Sequence, residues 1–583
     1  MARSSPLLLL LFALALVAPV AHAAVVEHTF NVGNLSISQL CRPEMNITAV
    51  NGQLPGPTIH AKEGDTVIVH LLNDSPYNMT IHWHGIFQRG SQWADGPVMV
   101  TQCPVRPAAN YTYSFNVTGQ EGTLWWHAHI SFLRATVYGA LVILPRGGAG
   151  AYPFSPKPDK EMVVMLGEWW NDNVHELQET AFLTGNPAPA ADAYTINGKP
   201  GDLYNCSAPN HTRRFEVRRN ETYLVRIINA ALNTPLFFKV ANHSFTVVGA
   251  DACYTTPYRT DVVVVAPGQT VDALMATPDA PPVAGQRRYY MAASPYDSAI
   301  PGPGPPFSPT IATAVLEYVG GGDNTTTDIQ MPDMPPFTDT NTAHRFLSNL
   351  TALVLPGKPT VPLGAMGTRM FVTIGMGQAD CQPDQTMCDP TSTKFASSMN
   401  NASFVLPRGT LSMLEAHRSN ATAGVYTRDF PDRPPLIFDY TADASDTAQL
   451  QYTTKSTKVR TLRFNETVEM VLQNTRLIAK ESHPMHLHGF NFFVLAQGFG
   501  NYNETVAVPQ FNFVNPQERN TLAVPTGGWA VIRFIADNPG MWYMHCHFDA
   551  HLDFGLGMVF EVLDGPTPET SVPPPPKDLP RCR

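Results

Sequence analysis

Three stretches of the chain repeat one pattern of apolar and polar positions. Thr66-Val-Ile-Val-His-Leu-Leu-Asn73, Thr222-Tyr-Leu-Val-Arg-Ile-Ile-Asn229 and Thr467-Val-Glu-Met-Val-Leu-Gln-Asn474 each run from threonine to asparagine. β-Branched and apolar residues dominate them with some alternation, which predicts a sheet strand in each. A second echo links the ends of the chain: Gly122 precedes His127, and Gly540 precedes His545, by the same aromatic-rich interval. Asn51-Gly-Gln-Leu-Pro-Gly-Pro57 and Asn197-Gly-Lys-Pro-Gly201 form a weaker third pair. Self-similarity on this scale implies three copies of one β-domain rather than a short solenoid repeat. No long stretch carries a convincing helical period.

Turn-rich segments set the boundaries. A Gly/Pro-rich linker spans Gly147 to Lys160, after a strand over Gly139 to Leu144, and a second linker spans Gly320 to Pro336. Gly302 to Pro309 reads as a Pro-rich loop inside the middle unit, whose last strand falls over Ile311 to Val319. The expected organisation is all-β: three sequential β-sandwich domains over 24–147, 159–331 and 332–583, preceded by a leader over 1–23. Composition agrees, since 44% of the 583 residues are apolar and only 15% charged, enough for several buried cores. The net charge of −10 argues against nucleic acid or an anionic membrane as a partner.

The leader rests on Arg3, the apolar run Leu7 to Val17 and the small-residue site Ala21-His22-Ala23. These are the three parts of a cleaved signal peptide, so the mature chain should begin at Ala24 and carry no membrane span. Sixteen N-x-S/T sequons between Asn34 and Asn503 fit a secreted protein bearing N-linked glycans. The eight cysteines should then be largely paired. Cys546 is set apart by its neighbours, His545 and His547. If it is a metal thiolate, at least one more cysteine stays outside a disulfide, and Cys253, in the apolar stretch Phe245 to Cys253, is expected to be that buried thiol.

Ten of the 19 histidines fall in four clusters: His82 and His84; His127 and His129; His483, His486 and His488; and His545, His547 and His551. Each cluster contains H-x-H. On a strand, residues two apart share a face, so each pair aims two imidazoles at one spot. A single H-x-H is more often an ordinary core or surface pair, but four of them exceed what a β-core needs. Imidazole suits copper, zinc, iron or nickel. A structural zinc takes four ligands and a catalytic one three, fewer than are present. Cys546, between two same-face histidines, must point to the opposite face. There His483 and His551 can join it as a His₂Cys trigonal set, the pattern of a blue copper electron-transfer site.

These motifs resemble those of the multicopper oxidases, and within them the plant laccases, over nearly the whole mature chain. His82-Trp-His84-Gly85, with Asp95-Gly96 and Gln102-Cys103-Pro104 downstream, is similar to the first family signature. Gly122-Thr-Leu-Trp-Trp-His127-Ala-His129 is similar to the second and His483-Pro-Met-His486-Leu-His488-Gly489 to the third. Gly540-Met-Trp-Tyr-Met-His545-Cys546-His547, with His551 and Gly555-Leu556, is similar to the fourth. The resemblance implies three cupredoxin domains and four copper ions, one type 1, one type 2 and two type 3. It assigns type 1 copper to His483, Cys546 and His551, and type 2 to His82 and His486. One type 3 ion falls to His84, His127 and His547, the other to His129, His488 and His545. Leu556 stands at the axial position of type 1 copper, where it cannot coordinate. Asp95 and Asp549 match carboxylates that serve the cluster in relatives, against the plainer role of holding neighbouring groups. The middle domain carries Phe237-Phe238-Lys239-Val240 and Met291-Ala292-Ala293 where its siblings carry histidines, and should bind no copper. Relatives tie the C-terminal tail back to the first domain, which implies a Cys103–Cys582 disulfide; Cys41–Cys206 is expected as a second bridge, between the first and second domains, and Cys381–Cys388 as a third that closes a local loop.

The activity implied is that of a laccase. One-electron oxidation of small phenols, such as monolignols, would be coupled to four-electron reduction of O₂ to water, in a monomer secreted to the apoplast. The electrons should enter through His551 at the floor of a shallow, apolar cleft between the second and third domains. A group should stand near it to accept the phenol's proton, and no motif identifies that group. Two alternatives stay open: another multicopper oxidase acting on ascorbate or ferrous iron, and a copper-free structural cupredoxin of the cell wall.

Overall fold

The computed structural model describes residues 23–582 apart from short segments, the longest at 299–307, 321–327 and 443–451. All but the last residue of the expected leader over 1–23, and most of the loop at Gly302 to Pro309, lie outside the described residues. Among the described residues the strands gather into six sheets, two from each of three stretches of chain. The first unit, Val25 to Leu144, has two four-stranded sheets, and the middle, Lys160 to Tyr318, has sheets of six and five. The last, Thr368 to Val562, has sheets of eight and five. Each pair of sheets closes over its own apolar core, centred on Trp83 and Leu141, on Phe237 and Val263, and on Met470 and Trp542. Three cupredoxin-like sandwiches result.

The repeated Thr-to-Asn segments are the strands Thr66–Asn73, Thr222–Asn229 and Glu466–Asn474, and their final asparagines share one task. The buried amide of Asn73 donates to the carbonyls of Tyr77 and Val105, and that of Asn229 to Thr234 and Val265. The amide of Asn474 donates to Glu481 and Val524. Each holds down the chain where it leaves the strand, satisfying carbonyls that would otherwise be buried unpaired.

Two helices escape the sequence pattern. Val174–Thr184 is capped by Asn173, whose side chain accepts from the backbone of His175 and Glu176, and it stops at left-handed Gly185. Thr340–Asn349, capped by Asp339, buries Ala343 and Phe346 in the middle core, so the chain stays with the middle unit to Leu350. Its apolar residues Ala343, Phe346, Leu347 and Leu350 follow the i, i+3, i+4, i+7 spacing of a helix behind a capping aspartate, a short local signal that a search for long helical periods passes over. Three disulfides are formed: Cys41–Cys206 between the first and middle units, Cys103–Cys582 between the first unit and the C-terminal tail, and Cys381–Cys388 within a loop. Trp93 donates its indole N–H to Pro573 of the same tail. Cys253 is outside any disulfide, but it is half-buried rather than buried, because its hairpin end lies at a cleft where Asn491 donates to its sulfur.

Candidate copper centres

The first unit presents its histidines from paired strands. Ile81–His84 lies against Gly122–Ala128, with His82 opposite His127 and His84 opposite Trp125. The last unit repeats the arrangement: His483–Leu487 lies against Gly540–Cys546, with His486 opposite His545 and Met485 opposite Cys546. The corresponding pair in the middle unit sets Phe237 opposite Ser294 and Phe238 opposite Ala293, with no metal ligand among them. Eight buried imidazoles from the two outer units meet in one nest between them. His82 Nε2 is 3.4 Å from His486 Nε2, and His84 Nδ1 is 3.1 Å from His547 Nε2. His545 Nε2 lies 3.0 Å from His488 Nε2 and 3.4 Å from His129 Nε2. The ring of His127 sits 5.3 Å from that of His547, centroid to centroid.

The other ring nitrogens are tied down from outside, which fixes the tautomers. His82 Nδ1 is 2.7 Å from the carbonyl of Asp95, His486 Nδ1 2.9 Å from that of Asn520, and His545 Nδ1 2.8 Å from that of Cys546. His488 Nδ1 is 3.0 Å from the Asp95 carboxylate. Carbonyl and carboxylate oxygens only accept, so each of these Nδ1 atoms carries the proton and each Nε2 keeps a lone pair. Lone pairs therefore face each other across His82–His486 and across His488–His545, and His127 Nε2 is buried with no protein partner. Only a cation reconciles such a set. Burial, followed by the crowding of neighbouring imidazoles, pushes the pKa of His84, His486 and His488 well below the ordinary range, and holds His545 down to about 3. The rings are thus neutral, as ligation requires.

The second centre lies on the other face of the same strand. Cys546 Sγ, His483 Nδ1 and His551 Nδ1 converge in the core of the last unit, at 3.4 Å from sulfur to His551 and 3.8 Å to His483. His551 is carried by the short helix Asp549–Phe554, which follows the strand directly. Leu556 is fully buried in the same core, and its backbone bonds to both His551 and Cys546. The outer nitrogen of His551, Nε2, is 3.1 Å from Glu481 Oε1. Burial disfavours a charged His551, but the Glu481 carboxylate and the Cys546 sulfur outweigh it and raise its pKa to about 10. Over that edge lies a cleft of about 100 Å³, walled by Trp170 and Tyr296 of the middle unit and by Glu481 and Phe548 of the last.

Asp95 holds two histidines at once, through its carbonyl and its carboxylate. Asp549 pairs with the buried Arg134 at 3.0 Å, and burial raises its pKa to about 6. Its second oxygen has no hydrogen-bond partner. Asp549 lines a larger cavity of about 370 Å³ that reaches His127 and His129 between the three units. Arg134 also donates to the carbonyls of Ala231, Leu232 and His547, so one guanidinium joins all three units at a cluster histidine. Glu481, Arg134, Asn520 and Thr521 were not visible in the sequence. They lie outside the motifs, and only folding brings them to the histidines.

Comparison with known proteins accounts for this arrangement. The multicopper oxidase family matches in three parts, over residues 31–148, 160–321 and 429–566. Two proteins of Oryza sativa subsp. japonica, Laccase-25 and Laccase-24, are each 72% identical, over 99% and 100% of both chains respectively. The chain is a plant laccase of the multicopper oxidase family. A solved fungal laccase, from Botrytis aclada, is 27% identical and superimposes with a TM-score of 0.69 over 92% of this chain and 88% of its own. Copper is accordingly the metal of this laccase, and its donors suit that choice: imidazole nitrogens in the nest, imidazole and thiolate at the Cys546 centre. Among the described residues no helix is long and apolar enough to cross a membrane.

Proposed function

We propose that this laccase holds four coppers: type 1 at His483, Cys546 and His551, type 2 at His82 and His486, and the type 3 pair at His84, His127 and His547 and at His129, His488 and His545. The opposed lone pairs in a fully buried nest are the observation that carries this reading. Bound copper would supply reversible one-electron chemistry at the Cys546 centre and four-electron reduction of dioxygen in the nest. The protein's own residues do the rest. Asp95 and the backbone hold the imidazoles in one tautomer, and the apolar core around Leu556 keeps water from the sulfur. The edge of His551 offers a phenol an exit for its electron.

The cleft over His551 favours a planar ring, which gains from contact with Trp170 and Tyr296. Glu481 stands where the phenolic hydroxyl would approach the His551 edge, and can take the proton as the electron leaves. The substrate class is small phenols, monolignols among them. The leader and the sequons support a glycosylated protein secreted to the apoplast, and we take the secreted chain to act as a monomer. Metal analysis with a blue absorbance, followed by a panel of phenol, ascorbate and Fe²⁺, tests the assignment. Four coppers and a preference for the phenol are expected. Faster turnover of ascorbate or Fe²⁺ would replace the substrate reading, and a colourless, copper-free protein would overturn it.

A further inference from the structure

The middle unit has no ligand of its own, yet one of its segments touches the histidine nest and a second grips the residues beside it. The loop before the strand Thr270–Ala276 sets Gly268 flush against two rings. A Cβ there would lie 2.9 Å from His547 Cγ and 3.1 Å from His84 Cε1, and the residue's φ of +92° favours glycine as well. Beside it, Gln269 donates to the carbonyl of Thr521. The second segment is the hairpin turn at Asp251 and Ala252, where both residues adopt left-handed φ of 49° and 57°. This turn points the fully buried Asp251 carboxylate into the last unit. Its oxygens accept from Arg519 Nε at 2.8 Å, from Arg519 Nη2 at 3.2 Å, and from the backbone N–H groups of Asn520 and Thr521 at 3.3 and 3.2 Å.

The segment gripped in this way decides how two histidines face. Thr521 donates its hydroxyl proton to Asn520 Oδ1 at 2.9 Å, so its oxygen is left to accept. His84 Nε2 is 3.0 Å from that oxygen and 3.2 Å from Asn520 Oδ1, two acceptors, so Nε2 carries the proton and Nδ1 turns to the nest. His486 is held by the same pair, through the Asn520 carbonyl and the Thr521 hydroxyl. We infer that Asp251 of the copper-free middle unit is a positioning residue for the cluster: through Arg519, Asn520 and Thr521 it fixes the orientation of His84 and His486. This deepens the copper assignment above and rests on it. The middle unit then acts as a clamp on the cluster as well as a spacer and a wall of the substrate cleft.

The test uses the secreted holoenzyme and counts copper by EPR, blue and non-blue separately, after dialysis against graded chelator. Asp251→Asn keeps the shape but turns amide protons towards donors. Thr521→Val removes the hydroxyl and leaves the grip of Asp251 intact. Both should weaken retention of non-blue copper by about 10- to 100-fold, the usual cost of losing an outer hydrogen-bond partner of a ligand, while the blue signal persists. Asp272→Asn is the control, since Asp272 is a buried acid at the neighbouring interface, bonded to Thr123 and Arg226 but not to the Arg519–Thr521 segment. Unchanged retention in Asp251→Asn, or an equal loss in Asp272→Asn, would overturn the inference. If Asp251→Asn is not secreted, Thr521→Val decides by the same criterion. Absence of non-blue copper from the unaltered enzyme would overturn the ligand assignment, and this inference with it.

Discussion

His545 and Cys546 are chain neighbours whose side chains serve different centres: His545 Nε2 is 3.0 Å from His488 in the interdomain nest, while Cys546 Sγ is 3.4 Å from His551 in the core of the last unit. Alternation along one strand produces this separation. It also makes the covalent path between the two centres as short as a chain allows. Cys546→Ser keeps the size of the side chain and removes the thiolate. Blue absorbance and phenol oxidation should both vanish, while the non-blue copper stays. Turnover retained in Cys546→Ser would show that electrons enter elsewhere.

Leu556 is fully buried beside Cys546 and His551, and leucine offers no donor atom. Leu556→Met conserves volume and should cost less than about 1.5 kcal/mol of stability. The thioether can then approach the blue copper, and the potential should fall without loss of metal. Redox titration of the blue band measures this. An unchanged potential would mean that residue 556 is not axial.

The buried carboxylate of Glu561 accepts from Arg428 at 2.7 Å, from Tyr426 and Thr461 at 2.8 Å, and has His417 at 3.0 Å. Burial alone would raise its pKa, but hydrogen bonds from Arg428, His417, Thr461 and Tyr426 outweigh it and hold the carboxyl well below the usual range. A carboxyl with a depressed folded pKa stabilises the protein fully above its unfolded value of about 4.3, and the contribution fades as pH falls towards the folded value. Glu561→Gln should therefore lower the Tm most at pH 6–7, at a cost of about 1–3 kcal/mol, because Arg428 is partly solvated and what is lost is chiefly hydrogen bonding to a buried charge. The gap to the unaltered enzyme should narrow below about pH 4. Thermal unfolding across that range checks the sign, and a gap that widens in acid would refute it.

Asn73 begins one of the sixteen sequons, yet its amide is buried and both its protons are donated to Tyr77 and Val105. A glycan on that nitrogen would displace both bonds and open the first core. Glycopeptide mapping should find Asn73 unmodified and exposed sequons such as Asn46, Asn78 and Asn110 available. Occupancy at Asn73 would contradict the packing described here.

The strands were legible because their signal is local. A period of two and β-branched residues follow from how a half-buried strand meets its sheet, so Thr66–Asn73, Thr222–Asn229 and the H-x-H pairs could be read one residue after another. The helix Thr340–Asn349 was legible too, through Asp339 as its cap and Ala343, Phe346, Leu347 and Leu350 at helical spacing, but it is only ten residues long and a search for long helical periods misses it. Ligand chemistry was equally local: H-x-H and H-C-H state which residues share a face, and the family resemblance states which ion each would hold. Partners of the ligands were another matter. Nothing in the sequence around Asp251, Arg134 or Glu481 marks it as supporting the histidines, because each meets residues far along the chain that only folding brings to it: Asp251 meets Arg519, Arg134 meets His547 and Glu481 meets His551. The sequence by itself determined three β-sandwiches and the histidine and cysteine side chains that converge in and beside the outer two, since these depend on periodicity and side-chain type. The tertiary structure alone decided the tautomers, the carboxylate set beside His551 and the contact of Asp251 with the last unit, since hydrogen bonds depend on distances that only the assembled domains create.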